Sequence, residues 1–184
     1  MIRQILVAFG AAAMLMFPVA AASQVESTPI PEIPKPDLSP MTYLLGTWSC
    51  SVQSARRPKP YQRISTYKTS DDGRWIDETS VTEALPWFPH RSVIHDMLTW
   101  DASTSRWVDV TYGDWGTYDL AESKGPNGDT MVWHDLAFRP STDVASFDET
   151  SVKKISDTKV IASTSFKEKA GRIVGVVTTC TKQP

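Results

Sequence analysis

The chain has 184 residues, with 19 Lys and Arg against 21 Asp and Glu and a formal charge of -2 at pH 7. Its basic residues are scattered, which excludes the electrostatic footprint of a nucleic-acid-binding surface, and beyond residue 24 no run is apolar enough to span a bilayer. The three histidines and two cysteines are too few and too dispersed for a recognisable metal motif, so neither metal nor cofactor is predicted.

In chain order, residues 1–22 read as a secretory signal: Arg3 is the positive region, Ile5 to Val19 the apolar stretch, and Ala20-Ala21-Ala22 the small-residue cleavage site. A transmembrane anchor is the competing reading. The uncharged run from Gln4 to Gln24 is only just long enough to span, and Pro18 with its alanines fits processing better. The expected destination is the periplasm or the medium, with no integral span after cleavage. Residues 23–40 form a proline-rich linker, TPIPEIPKPDLSP from Thr28 to Pro40, in which repeated prolines favour extended backbone. A stalk and a segment draped on the domain are equally compatible with it. Residues 41–184 are the size of one domain.

Within that domain two-residue alternation rich in Thr, Val, Trp and Tyr replaces helical period. It predicts strands at Gly46 to Val52, Tyr61 to Thr69, Trp75 to Glu83, Ser92 to Trp100, Arg106 to Tyr112, Gly116 to Glu122, Thr130 to Phe138, Val144 to Lys154, Lys159 to Lys167 and Ile173 to Lys182. Between them Ser70-Asp71-Asp72-Gly73, Asp101 to Ser105, Gly125-Pro126-Asn127-Gly128 and Ala170-Gly171 supply turn chemistry. Short turns give hairpins, and a long antiparallel meander removes its edges by closing. The predicted class is all-β: a closed antiparallel up-and-down barrel of about ten strands, with a two-sheet sandwich as the alternative.

The cysteines argue for closure independently. Cys50 lies on the first predicted strand and Cys180 on the last. A bridge between them, natural in an oxidising compartment, requires those strands to be neighbours. On the chain-entropy model it would contribute roughly 4 to 5 kcal/mol. If Cys50 faces Cys180 across an antiparallel pair, Trp48 faces Lys182 two steps away, and the ammonium can lie over the indole.

The stretch YLLGTWSC, Tyr43 to Cys50, places Gly46-Thr47-Trp48 at the start of the first strand. It resembles the calycin G-x-W signature of lipocalins and fatty-acid-binding proteins, and Tyr43 to Lys182 as a whole resembles bacterial exported domains with a lipocalin-like barrel. The resemblance implies structural roles for Gly46 and Trp48 and a final-strand basic residue, here Lys182, over the tryptophan. Nitrobindin-like haem barrels also begin with G-T-W but carry a histidine near the C-terminal strands. No histidine follows His134 here, so the resemblance does not extend to haem.

Candidates for chemistry are weak. His95 and His134 precede Asp96 and Asp135 on predicted strands, where neighbours point to opposite faces and cannot chelate together. Either histidine inside the barrel could act as acid or base; on the surface it would be structural. Thr111 to Tyr118 puts Tyr112, Asp114, Trp115 and Tyr118 around glycine turns and reads as a pocket rim or as plain hairpin stabilisation. Leu85 to Arg91, with Trp87, Phe88 and Arg91, is too apolar for a solvated loop and reads as lid or plug. The leading expectation is a module binding a small hydrophobic or aromatic ligand, lined by Trp87, Phe88, Arg91, Trp100, Tyr112, Trp115 and Trp133, with Trp75 a further candidate. A lyase or isomerase using Tyr112, Asp114 and His95 or His134, and an envelope interaction protein, are the alternatives.

Overall fold

The structure is a computed structural model describing residues 32–139, 144–147 and 149–184. The predicted signal lies outside the described residues, as does the linker up to residue 31. From Pro34 onward the chain forms one compact unit. A 3-10 helix, Ser39–Leu44, leads into eleven strands: β1 Gly46–Ser54, β2 Tyr61–Thr69, β3 Ile76–Thr82, β4 Ser92–Asp101, β5 Arg106–Gly113, β6 Tyr118–Ser123, β7 Thr130–Arg139, β8 Val144–Phe147, β9 Thr150–Ser156, β10 Lys159–Glu168 and β11 Ile173–Lys182. Leu38 and Met41 are buried, so the packed region begins ahead of residue 41.

Strands β1 to β7 pair in sequence order, followed by β9, β10 and β11, and β11 returns to β1. Every pairing is antiparallel, which makes a closed barrel ten strands around. The single strand expected from Val144 to Lys154 is corrected to two, both pairing with β10. β9 sets Ser163 opposite Ser151, a register that would bring Phe166 to position 148, yet β8 sets Phe166 opposite Phe147. The two ladders on β10 are thus offset by one residue. The expected start of β6 at Gly116 moves to Tyr118, because Gly113 to Thr117 close a turn in which Gly116 has φ +70°.

Closure is fixed at the β1–β11 seam. Cys50 and Cys180 are directly opposite and disulfide-bonded, and Trp48 faces Lys182. Lys182 Nζ lies 5.4 Å from the Trp48 ring centroid and donates to the Tyr43 carbonyl at 3.0 Å. Trp48 Nε1 donates to the Leu44 carbonyl at 2.6 Å. The helix is thereby held across one barrel end by the first and last strands together. Gly46 makes room for this: at φ +115° it sits where a Cβ would meet Lys182 Cε at 3.0 Å.

Under that cap lies the main apolar cluster, in which Met41 and Leu44 meet Ile76, Leu98, Trp107 and Trp133. The opposite end holds a smaller cluster of Val144, Phe166 and Val174.

Candidate functional site

Ladder register determines what the barrel interior contains. Arg63 stands opposite Cys50, so it shares the inner face with the disulfide. Farther toward the cap, directly opposed inner positions run Tyr67, Glu78, Asp96, Thr111 and Asp119 across β2 to β6. A second line runs Asp109, Ala121, Asp135 across β5 to β7. Five carboxyl groups from five adjacent strands therefore converge inside one wall of the barrel.

They line a cavity of about 200 Å³ beneath Met41 and Leu44, whose other walls include Leu98, Trp133, Val152 and Val160. Among the described residues Arg63 is the one basic side chain lining it. Part of the acidic set is locally satisfied: Thr111 Oγ1 donates to Asp96 at 2.6 Å, and the Ser65 and Ser80 hydroxyls, 2.7 Å apart, lead to Glu78, which accepts from Ser80. Part is not. Asp109 Oδ1, Asp119 Oδ1, Asp135 Oδ2 and Arg63 Nε are buried with no hydrogen-bond partner in the structure.

Such crowding favours protonated acids. Burial first, then the Glu78 charge, raises Asp96 to about 7. Burial, reinforced by Asp96 and Glu78, holds Asp109 well above the usual carboxylate range. Burial and the adjacent Asp135 raise Asp119 to about 6, while burial also raises Asp135. Tyr67 is pushed well above its ordinary value by burial and then by Glu78. Near neutrality the cluster can hold and exchange protons.

The candidates read from the sequence are distributed differently. Trp133 lines the capped-end cavity. His95, Tyr112, Asp114 and His134 do not. His95 and Tyr112 stack on each other, 4.9 Å between centroids, and point away from the inward-facing Asp96 and Thr111. Asp114 accepts from the Val93 amide at 2.9 Å, and exposed His134 lies 3.3 Å from Glu149. The three groups of the acid–base alternative thus do not meet in the interior. Trp100 packs edge-on to Trp107 in the apolar cluster.

Trp87 and Phe88 belong to a second pocket, about 330 Å³, at the other end. Paired backbone hydrogen bonds between Leu85 and Phe88 fold their loop into a tight turn. Arg57 lies over the Trp87 ring at 4.9 Å, Trp115 packs against Phe88 at 5.3 Å, and exposed Arg91 is 3.6 Å from Glu83. Arg56, also lining this pocket, is bonded to Glu168 at 2.6 Å. Arg63 lines both cavities.

The acidic interior escaped sequence reasoning because Asp96 and Asp135 were read only as neighbours of histidines. Counting the ladder outward from Cys50 would have found it: Arg63 follows first, and the acidic row lies four residues further along β2, at Tyr67.

Fold and site together define a closed, ten-stranded antiparallel barrel with a polar cavity inside. Among solved structures this chain is similar to that titled "Crystal Structure of Rv2717c from M. tuberculosis", at TM-score 0.59 and 13% identity, covering 80% of this chain and 97% of that one. The likeness establishes the fold. No family model and no curated protein matches the sequence.

Proposed function

We propose that this chain is an exported, calycin-like barrel that binds a small molecule in the capped-end cavity. The observation that carries the reading is the cavity itself: apolar walls from Leu98, Val152 and Trp133 with a few converging polar groups, the usual make-up of a ligand site in a small barrel. Export is supported by the N-terminal signal pattern and by the Cys50–Cys180 disulfide, which fits an oxidising compartment. In addition, no helix among the described residues is long and apolar enough to cross a membrane.

Native mass spectrometry of the mature protein, taken from the periplasm or medium of its own source, tests the reading. A stoichiometric extra mass that leaves on denaturation is expected. Bare protein, together with no thermal stabilisation by a fractionated extract of the same cells, would overturn it.

A second reading is favoured by one observation, the placing of the Asp119 and Asp135 carboxyls on the paired strands β6 and β7 in the wall of one cavity, where burial raises both. Such a pair is suited to general acid–base catalysis on a bound substrate. The same extract, incubated with the protein and compared for consumed and formed masses, decides between carrier and enzyme.

A further inference from the structure

We infer that the occupant of the capped-end cavity is a small organic cation, a protonated amine on an apolar body, seated against Asp109, Asp119 and Asp135. The inference deepens the proposal of a ligand-binding barrel and rests on it. Its first ground is stoichiometric. Glu78, Asp96, Asp109, Asp119 and Asp135 line the space, and Arg63 is the only cation lining it among the described residues.

The second ground is directional. Asp109 is deeply buried on β5, and its Oδ1 has no hydrogen-bond partner. On the half-buried side chains of Asp119 on β6 and Asp135 on β7, Oδ1 and Oδ2 respectively are also buried atoms with no hydrogen-bond partner. These are acceptor atoms of neighbouring strands, and an ammonium presents up to three donors and a charge to satisfy them. An anion would meet repulsion, and a hydrocarbon would leave the acceptors unpaired at a cost.

The third ground is the rest of the wall. Leu98, Val152 and Trp133 offer an apolar and aromatic surface to a carbon skeleton, and an indole face can itself attract a cation. Among the described residues no three carboxylates or other ligands stand close enough to share a metal ion, so the spread of the acids suits a polyatomic cation. At about 200 Å³ the space lies below the roughly 300 Å³ at which pockets for drug-sized ligands begin, which keeps the molecule small.

Binding should release protons. Asp109 faces Asp96 on β4, Glu78 on β3, Asp119 on β6 and Asp135 on β7, with Arg63 and Tyr67 reaching in from β2. Burial keeps protons on Asp96, Asp109, Asp119 and Asp135 above their usual range, and neighbouring carboxylates add to it for the first three. An arriving cation favours the ionised forms and displaces those protons.

Isothermal titration of the oxidised mature protein with 2-phenylethylamine, its neutral analogue 2-phenylethanol and the anion 3-phenylpropanoate tests this. The amine stays protonated between about pH 5.5 and 8, so any pH dependence belongs to the protein. The amine is expected to bind at least about tenfold more tightly than the alcohol at pH 8, and to weaken about tenfold per pH unit for each proton released once the pH falls below the acids' range. Its binding heat should depend on the buffer's ionisation enthalpy. Asp109→Asn should remove the preference for the amine over the alcohol. The wild-type pH series stands without that variant should it fold poorly.

Equal or tighter binding of the alcohol or the carboxylate, or amine binding without proton release, would overturn the cation and leave the binding barrel intact. No binding by any of the three at millimolar concentration also overturns the cation. The binding barrel itself falls only if native mass spectrometry returns bare protein and the cell extract gives no thermal stabilisation.

Discussion

The two ends of this barrel treat acidic groups in opposite ways. At the end away from the cap Glu168 is gripped by Arg172 at 2.7 and 2.8 Å and by Arg56 at 2.6 Å, and those guanidinium hydrogen bonds hold its carboxyl down at about 2. At the capped end burial raises Asp119 to about 6 and Asp96 to about 7, and several acceptor atoms lack partners. The same strands serve both environments, since β2 carries Tyr61 into the pocket away from the cap and Tyr67 into the capped one, with Arg63 between. Paired charge at one end stabilises structure. Unpaired acceptors at the other are retained at a cost, and such sites are where binding or catalysis concentrates.

Breaking the cylinder that holds the ends together should have the largest effect. The double variant Cys50→Ser with Cys180→Ser opens a loop spanning 130 positions and is expected to lose about 4 kcal/mol in urea unfolding. Arg63→Met comes next. It removes the one cation that lines the acidic cavity among the described residues, and at about pH 8 the uncompensated carboxylates should cost about 3 kcal/mol. By pH 5, below the raised values of Asp96 and Asp119, much of that loss should disappear, whereas a mere packing defect would persist.

The unmodified protein should show a smaller trend of the same origin. Asp96, Asp109, Asp119 and Asp135 have folded-state values raised above the unfolded ones, so their stabilising contribution is present below about pH 4 and is lost as the pH rises toward about 7. Glu168 works in the reverse sense, losing its contribution only as the pH falls toward about 2. The melting temperature of the ligand-free barrel should therefore fall by about 5 °C between pH 5 and pH 8 in a calorimetric series. A rise would contradict the raised values. Lys182→Met, acting on the cap alone, should cost about 1 kcal/mol and leave the pH trend unchanged.

Much of the architecture was legible in the sequence. Thr-, Val- and aromatic-rich alternation marked the strands, turn residues marked the hairpins, and two cysteines at the extremes fixed the closing pair. The interior was not legible, and the reason is visible on β5. There Trp107 and Asp109 face in while Val108 and Val110 face out, so both faces carry apolar residues and hydrophobicity alone cannot assign them. On β4, Asp96 shares the inner face with Leu98, and His95, the residue that attracts chemical interest, is outside. The break between β8 and β9 was equally hidden, because a one-residue register change leaves no mark in local composition.

The seam between β1 and β11 also dictates when the molecule can become complete. Its partners are 130 positions apart, and until the last strand is in register β1 has only β2 beside it, with neither the disulfide nor the clasp of Lys182 available. Contacts of such long range make folding slow, because chain ends must meet before the pairing rewards them. A protein synthesised from its N-terminus would thus spend its early life as an open sheet with a free edge and an exposed acidic lining. Oxidation of both thiols to the Cys50–Cys180 disulfide, with their two electrons passing to an external oxidant, is then a late event that records correct alignment and locks it.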